Sequence, residues 1–345
     1  MPEYTSDYDF TKIPFDRIER VGQISMLKNK LFTTSWLLGR YCNYHCSYCW
    51  AHGRSDIKDH RPTELCLKTI DSIKEQARDR GFNSFHFSLS GGEPTLHPGY
   101  LDILEKLASD KGDYSSIHMT TNLSKGFKWF SKYIERAKEF DRASITASLH
   151  REYVRDNEHF ADKLLYLQQN GIKITINMVM VPEIFDELYE IAKYFYDRGL
   201  NTTLKPQSDP HANYVVKGYT QEQLDILHNG MPQKDGTKTF MQVKLTDDEG
   251  VDWYMDQAER FNAFNFNCFK GWECSSGYRS IIIREPCGSI KRSYSCRDEP
   301  IGNIETGFKL HEKLQPCISP SCVSSADSKI PKRKRGSTLG LWNLK

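Results

Sequence analysis

The sequence predicts an α/β protein whose main body is an open, partial (β/α)6 barrel, followed by a small C-terminal unit built on a β-hairpin and a helix. Two observations predict this architecture. Six short runs rich in β-branched and aromatic residues alternate with segments of helical periodicity, and this rhythm stops after Pro210. Such alternation is typical of parallel strands joined by right-handed crossovers, and six units are too few to close an eight-stranded barrel. Catalytic groups are then expected at the C-terminal ends of the strands.

The individual elements follow from local patterns. Predicted strands occupy the extended apolar runs at residues 32–39, 85–91, 116–122, 143–150, 173–181 and 202–208. Predicted helices lie between them at residues 63–81, 100–112, 160–171 and 183–199, each ending at a glycine. Thr63 is the expected N-cap of the first helix. Downstream, the patterns predict a short capped helix at 220–230 and β-hairpins at 241–255 and 278–296, the last turning at Pro286-Cys287-Gly288.

These patterns divide the chain into five segments. They are an N-terminal extension (1–30), the partial barrel (31–210), a linker or insert (211–265), a C-terminal hairpin domain (266–330) and a basic tail (331–345). The tail contains Lys332-Arg333-Lys334-Arg335 and is expected to be flexible and solvated. Its alternative interpretation is contact with nucleic-acid phosphates.

Composition narrows the class of protein. The 345 residues suffice for one large domain, or one large and one small domain, and the 38% hydrophobic and 27% charged residues are ordinary for a globular protein. A net charge of +2 gives no overall field that favours nucleic acid or a membrane surface. The N-terminus lacks the basic and apolar regions of a signal peptide. We therefore expect a cytoplasmic protein with no membrane partner.

Ten cysteines are many for an intracellular protein of this size, where clustered cysteines are more often metal ligands than disulfides. Cys66 stands apart in a helical pattern and is expected to be a buried hydrophobic residue. The others form two groups. The first group is Cys42, Cys46 and Cys49, and the second is Cys268, Cys274, Cys287, Cys296, Cys317 and Cys322.

The first group directly follows the first predicted strand. Thiolates spaced by three and two intervening residues can wrap around one iron–sulfur cubane and bind three of its four irons, leaving one iron open to a small molecule. Zinc is the competing metal, but a closed zinc site needs four ligands, and His45 is poorly placed to be the fourth. The spacing favours the iron–sulfur cluster and leaves zinc as the alternative.

Here the chain resembles the radical S-adenosylmethionine (radical SAM) superfamily. The pattern C-x-x-x-C-x-aromatic-C after the first strand is similar to that family's signature, with Tyr48 at the aromatic position that lies against the adenine. Ser90-Gly91-Gly92-Glu93-Pro94, at the end of the second strand, resembles the GGE motif that binds the methionine amino group. The resemblance implies a 4Fe-4S cluster with an open iron and bound S-adenosyl-L-methionine. Two glycines allow close backbone approach, and a carboxylate or carbonyl can pair with an ammonium.

Further positions are implied by the same resemblance. Polar residues at later strand ends lie near the cofactor in similar enzymes, and the matching positions here are Thr121, Asn122, Ser148 and Met180, the last through its backbone. His150 stands where relatives often carry aspartate, which points to a different substrate. With Lys205 and Gln207 at the barrel mouth, it is a candidate substrate contact.

The second group resembles the twitch domain, a short SPASM-like extension that holds an auxiliary 4Fe-4S cluster on a hairpin and a short helix. The implied ligands are Cys274 before the hairpin, Cys296 after it, and Cys317 with Cys322 beyond the helix. Cys268 and Cys287 are expected to be free or incidental. A structural zinc ribbon is the alternative for this segment.

The resemblance implies a radical SAM enzyme. It would cleave S-adenosylmethionine reductively to a 5′-deoxyadenosyl radical and take a hydrogen from a peptide, amino-acid- or sugar-derived substrate, with flavodoxin or ferredoxin as the one-electron reductant. Radical modification or isomerisation of a modified nucleotide in DNA or RNA is the first alternative. The others are a non-enzymatic, zinc-stapled interaction protein and an iron–sulfur protein that only carries electrons.

Overall fold

A computed structural model describes residues 9–49, 54–58, 60–209, 214–231, 242–256, 258, 261, 264–284, 287–322 and 324–342. Two β-sheets organise these residues. The larger sheet has ten strands in the order β14-β13-β12-β11-β2-β3-β4-β5-β6-β7. Its strands are β2 (Leu31–Leu37), β3 (Ser84–Ser90), β4 (Tyr114–Thr121), β5 (Arg142–Leu149), β6 (Lys173–Met180), β7 (Asn201–Pro206), β11 (Ser280–Arg284), β12 (Ser289–Lys291), β13 (Gly302–Asn303) and β14 (Gly307–Phe308).

Strands β2 to β7 are parallel and adjacent in chain order, as six βα units of a partial barrel require. All six predicted strands are confirmed, with ends within two residues of those observed. The connecting helices are α2 (Thr63–Arg78), α3 (Tyr100–Ser109), α4 (Phe127–Ala137), α5 (Asn157–Gln169) and α6 (Phe185–Asp197).

Two details of the barrel helices differ from expectation. Helix α4 was not predicted, although Phe130, Tyr133 and Ile134 bury one face of it at helical spacing. Four of its eleven residues are aromatic, with lower helix propensity than the leucines that marked the other barrel helices. The expected N-cap role of Thr63 is wrong: Pro62 is the N-cap of α2, and the Thr63 side chain instead fills the space beside Gly99.

The two faces of the barrel strands differ in chemistry. The helix-facing residues form the main apolar core, including Phe32, Trp36, Phe87, Met119 and Ile176. The alternate residues face the inside of the barrel and are mostly polar and half-buried: Thr33, Ser35, His86, Ser88, His118, Thr120, Ser144, Thr146, Ser148, Thr175, Asn177, Thr203 and Lys205. Cys66 is buried in the core, as predicted.

The smaller sheet has six strands in the order β15-β10-β16-β1-β8-β9. They are β1 (Ile18–Gln23), β8 (Val243–Asp247), β9 (Asp252–Met255), β10 (Glu273–Cys274), β15 (Gln315–Pro316) and β16 (Lys332–Arg333). The hairpin expected at 241–255 is therefore confirmed as β8–β9. Helix α1 (Ile24–Asn29) leads from β1 into the barrel, and α7 (Gln221–Asn229) carries the capping box of Thr220 and Gln223.

This sheet corrects the expectation of a flexible, solvated basic tail. Lys332 pairs with Val21 on one side and Cys274 on the other, and it is only 1% exposed. Arg333 Nε donates to Glu273 Oε2 at 2.7 Å. The interpretation of this segment as a nucleic-acid contact loses its basis, because Lys332 and Arg333 are paired within the sheet. The expected N-terminal extension, insert and tail pair with one another in a single sheet.

The C-terminal hairpin expected at 278–296 is present as β11 and β12, with Cys287-Gly288 at its turn and Pro286 outside the described residues. Strand β11 pairs in parallel with β2, so the hairpin extends the barrel sheet. The helix expected before Cys317 is misplaced. Within the fully described stretch 287–322 there is no helix, and the short helix α8 (Ser325–Ser328) follows Cys322 instead. In the described part of the chain, no helix has the length and apolar character needed to cross a membrane.

Candidate active site

The cysteine loop, Cys42–Cys49, follows β2 at its C-terminal end. Cys46 is buried, Cys42 and Cys49 are half-buried, and Cys49 N donates to Cys46 O at 3.0 Å in a tight turn. Burial raises the pKa of all three thiols, and with the Glu152 carboxylate it brings the pKa of Cys46 to about 12. Since thiolates are the metal-binding form, loading a cluster here displaces three protons.

The glycines of the GGE motif let β3 pack against the backbone that leads into this loop. Gly92 N donates to Gly39 O at 2.9 Å, and Glu93 N donates to Tyr41 O at 2.8 Å. A Cβ on Gly92 would lie 2.3 Å from Arg40 O. The observed use of Gly92 is therefore contact between two protein segments. Its expected role at the cofactor stays a prediction.

Glu93 is 1% exposed, and protein donors surround its carboxylate. Oε1 accepts from Thr95 N at 3.0 Å, Thr95 Oγ1 at 2.6 Å and Thr121 Oγ1 at 2.8 Å, while Oε2 accepts from Asn122 N at 2.6 Å. Burial raises the pKa of Glu93, and these hydrogen bonds oppose the rise. The carboxylate thus ties the end of β3 to the end of β4.

Asn122 continues this network to the first cysteine. Its Nδ2 donates to Asn43 Oδ1 at 3.0 Å and contacts Cys42 Sγ at 3.8 Å. The next residue, Leu123, has a left-handed backbone (φ 58°), and its carbonyl accepts from the buried Lys163 Nζ at 2.7 Å. Asn122 therefore lies beside the cysteine loop and Thr121 is joined to it through Glu93, while their expected role at the cofactor stays a prediction.

A second set of contacts comes from the turn after β5, which sequence reasoning missed. Both the N–H and the hydroxyl of Ser47 donate to the Glu152 carboxylate, and His45 N donates to Tyr153 Oη at 2.7 Å. The Tyr44 and Tyr153 rings stack with centroids 4.3 Å apart. We call Glu152 and Tyr153 the β5 clamp. Its only sequence signal is its position just after a barrel strand.

Tyr48 and His150 meet at this clamp. Tyr48 Oη lies 3.0 Å from His150 Nδ1, and the two rings stack at 5.8 Å. Burial lowers the pKa of His150 to about 4, so the imidazole is neutral at pH 7. Ser148, two residues earlier, is half-buried on the inner face. Assignment of Tyr48 and Ser148 to the cofactor and of His150 to the substrate stays a prediction.

Met180, Lys205 and Gln207 lie at the ends of β6 and β7. The Met180 side chain is fully buried in the core, and its carbonyl accepts from Tyr219 Oη at 2.5 Å. Tyr219 Oη in turn accepts from Gln207 N at 2.7 Å. Lys205 is half-buried on the inner face. These contacts link two strand ends, and the expected cofactor and substrate roles remain predictions.

The second predicted site comprises the four C-terminal thiols, Cys274, Cys296, Cys317 and Cys322. Cys274 and Cys317 belong to neighbouring backbone segments, since β10 pairs with β15 and Cys317 N donates to Trp272 O at 2.7 Å. Burial raises the pKa of all four thiols, and each is within electrostatic range of another member. Cys268 and Cys287 are exposed, and the expectation that they are not ligands stays a prediction.

The donors that the two predicted sites share are thiols, and soft thiolates suit iron–sulfur clusters as well as zinc. Among the described residues, no three His, Cys, Asp or Glu side chains are gathered as around a single metal ion. Three thiols on one loop fit a cubane with one open iron, and four thiols fit a fully ligated one.

Residues 36–195 match the family model described as the Radical SAM superfamily. This span contains the cysteine loop, the GGE motif, the Thr121-Asn122 strand end and the β5 clamp. This part of the chain is therefore a radical SAM domain. Membership of an enzyme superfamily overturns the alternative of a non-enzymatic, zinc-stapled protein.

Curated relatives match shorter stretches. A GTP 3′,8-cyclase of Haemophilus influenzae is 32% identical over 81 residues, which are 24% of this chain and 23% of that protein. The chain thus spans about a quarter of the length of this relative. A pyruvate formate-lyase-activating enzyme of Streptococcus mutans is 26% identical over 164 residues, 44% of this chain and 60% of that protein.

Solved structures share the fold over a longer range. Native anSMEcpe with bound AdoMet and Kp18Cys peptide superposes with a TM-score of 0.52 at 14% identity, covering 80% of this chain and 78% of that chain. The same protein with bound AdoMet alone gives a TM-score of 0.51 at 16% identity and the same coverage. The partial barrel of the radical SAM fold is therefore confirmed.

Proposed function

We propose that this chain is a radical SAM enzyme that removes a hydrogen atom from a peptide, amino-acid- or sugar-derived substrate. A 4Fe-4S cluster with an open iron, loaded with S-adenosylmethionine and given one electron, supplies the 5′-deoxyadenosyl radical for this step. The observation that carries the proposal is the cysteine loop. Its three thiols follow the C-terminal end of the first barrel strand, and two sets of ordered contacts hold the loop.

The chain's own residues hold this loop from both sides. The Glu93 carboxylate, through Asn122, fixes the side that bears Cys42. The β5 clamp fixes the side between Cys42 and Cys49 through Ser47 and His45. A pre-ordered loop keeps the ligand thiols from collapsing onto one another, and the half-buried setting limits access of water to a reactive intermediate.

Glu93 acts on the cofactor through the backbone. Its carboxylate already accepts four hydrogen bonds, so the carbonyls of Gly91 and Gly92 are the acceptors that we assign to the methionine ammonium. Tyr48, supported by His150, is the aromatic surface for the adenine, and Thr121, Ser148 and the Met180 backbone complete the cofactor side.

The four C-terminal thiols hold an auxiliary 4Fe-4S cluster. Four ligands leave no iron open, so this cluster carries electrons or stabilises the fold instead of binding substrate. The support is that each of the four cysteines of the twitch-like pattern interacts electrostatically with another member of the set, whereas Cys268 and Cys287 are exposed.

The substrate side is the inner face of the barrel. Its hydroxyl, amide and imidazole groups, with Lys205 at the mouth, suit a polar substrate rich in hydrogen-bonding groups. The likeness to anSMEcpe, which was solved with a peptide, supports a peptide substrate, while the GTP 3′,8-cyclase relatives support a nucleotide as the alternative. A flavodoxin or ferredoxin in the cytoplasm would supply the electron.

Anaerobic reconstitution with iron and sulfide tests the proposal. We expect about eight irons per chain, as two 4Fe-4S clusters require, and 5′-deoxyadenosine after addition of dithionite and S-adenosylmethionine. The triple variant Cys42→Ala, Cys46→Ala, Cys49→Ala should keep about half of the iron and lose deoxyadenosine formation. The matched control is Cys268→Ala with Cys287→Ala, which should keep both. Zinc in place of iron, or cofactor cleavage by the triple variant, would refute the proposal.

A further inference from the structure

Lys332 is paired across the sheet with Cys274, one of the four C-terminal thiols. It is the cross-strand partner of Cys274 in the antiparallel pair β10–β16, a register that places the two side chains on the same face. Its Nζ donates to Asp327 O at 3.1 Å and Ser328 O at 2.5 Å and stands 4.5 Å from the Phe269 ring centroid. At 1% exposure, this ammonium is almost completely removed from water.

A second cation approaches from the hairpin. Arg292 is 4% exposed, and its Nε donates to Ser276 O at 3.1 Å while Nη1 donates to Pro316 O at 3.3 Å. These carbonyls lie two residues after Cys274 and one residue before Cys317. Gly277 (φ 86°) provides the space for the Arg292 side chain, because a Cβ there would lie 2.8 Å from Arg292 Cγ.

The Arg292 guanidinium still has an unused donor. Nη1 pairs with Asp298, but Nη2 is buried and has no hydrogen-bond partner among the described residues. A buried donor without a partner is costly unless a ligand satisfies it. The inorganic and cysteine sulfurs of an iron–sulfur cluster are acceptors for such a donor.

The positive charges of both cations lower the pKa of several of the four thiols. Burial raises the pKa of Cys274, Cys317 and Cys322, and Lys332 acts in the opposite direction on all three. Arg292 opposes burial in the same way at Cys274, Cys296 and Cys317. Two carboxyls act against them: Asp298 raises the pKa of Cys296, and Asp327 raises the pKa of Cys322. The cations therefore lower the pKa of more thiols than the carboxyls raise.

We propose that Lys332 and Arg292 raise the reduction potential of the cluster held by the four C-terminal thiols. The inference rests on the auxiliary cluster of the proposed function. Four thiolates give such a cluster a net negative charge, and reduction adds one electron and hence one further negative charge. Buried cations stabilise that added charge strongly, because little water screens them.

Redox titration of the auxiliary cluster tests this. In the Cys42→Ala, Cys46→Ala, Cys49→Ala background, which keeps only the four C-terminal thiols as a cluster site, dithionite in the presence of mediators reduces the cluster by one electron, and its electron paramagnetic resonance signal is followed against potential. Lys332→Met should lower the ratio of reduced to oxidised cluster at a fixed potential by about tenfold, equivalent to about 59 mV. Lys332→Arg keeps the charge and should restore the parent value.

Lys334→Met is the matched control, since it removes the same charge two residues along the chain from a side chain that is 47% exposed. It should leave the potential unchanged. If Lys332→Met does not fold, Arg292→Gln provides the second test and should shift the potential in the same direction. A purely structural role would lower iron content or thermal stability without moving the potential of the iron that remains.

The outcomes separate the two ideas. Iron bound with an unchanged potential in both Lys332→Met and Arg292→Gln would overturn this inference alone and leave the proposed enzyme intact. No iron in the triple-cysteine background would overturn the auxiliary cluster, and the inference with it. Deoxyadenosine formation by the chain with all ten cysteines reports separately on the first cluster.

Discussion

Glu93 belongs to the GGE motif, but its carboxylate binds protein donors and acts on the proposed cofactor by positioning the backbone. Its four hydrogen-bond donors come from both strand ends that border the cysteine loop. In Glu93→Gln, the new amide N–H groups would face one of these donors and leave it unsatisfied. We expect a loss of about 1–3 kcal/mol in the free energy of unfolding, together with weaker S-adenosylmethionine binding, measured by denaturant titration and equilibrium dialysis.

Glu135→Gln, on the exposed face of α4, is the control and should change neither quantity. The two measurements together distinguish positioning from direct contact. A variant at Glu93 that folds with parent stability and fails only in cofactor binding would mean that the carboxylate itself holds the ammonium.

A second prediction concerns a single atom, the Cβ that an alanine would add at Gly92. The backbone there has no left-handed strain, so Gly92→Ala tests the close approach of a Cβ to two backbone oxygens, Arg40 O at 2.3 Å and Tyr41 O at 2.4 Å. We expect about 1–3 kcal/mol of destabilisation from this overpacking and loss of iron from the first cluster. Gly340→Ala, where a Cβ meets nothing within 4 Å, should be neutral. Equal thermal midpoints for the two variants would contradict this account.

At the scale of elements, the β5 clamp predicts how tightly the cysteine loop holds iron. Glu152→Gln keeps one acceptor oxygen for Ser47 but loses the charge that strengthens both hydrogen bonds. Iron should leave the first cluster several-fold faster when a chelator is added, as followed by absorbance of the iron–chelator complex. Glu158→Gln, exposed in the first turn of α5, should release iron at the parent rate. An unchanged rate in Glu152→Gln would show that the clamp does not support the loop.

The sequence predicted elements whose signals are local. Six barrel strands, the cysteine spacings and the GGE turn were readable because each depends on residues close in the chain. The β5 clamp was not, because Glu152 and Ser47 are 105 residues apart and meet only when strand ends align. Strand β16 has two residues, too few for any periodicity, so Lys332 and Arg333 gave the signal of a solvated charge run.

At the scale of the whole molecule, the barrel interior predicts acid sensitivity. Burial lowers the pKa of His86 to about 3 and of His118 to about 4, while both would titrate near 6.5 in the unfolded chain. Between about pH 6.5 and 4 the unfolded chain binds more protons, so stability should fall as the pH falls through this window. Each histidine contributes at most about 1.4 kcal/mol per pH unit.

Urea titrations at several pH values check this slope. His118→Asn can keep a hydrogen bond to Ser144 without a titrating group, so its stability should depend less steeply on pH than that of the parent. His159→Asn, exposed on α5, should reproduce the parent slope. A His118→Asn slope equal to the parent slope would show that His118 is protonated in the folded state as readily as in the unfolded chain.

Strand β11 gives β2 its second neighbour: four residue pairs from Ser280–Thr33 to Ile283–Trp36 join the two in parallel. A shortened chain that ended before residue 280 would leave the backbone donors and acceptors of β2 unpaired, beside apolar Phe32 and Trp36. Unpaired edges of this kind recruit strands from other molecules. The barrel should therefore precipitate when expressed alone, and swapping C-terminal halves between relatives should preserve solubility only if the incoming half carries a strand that fits β2.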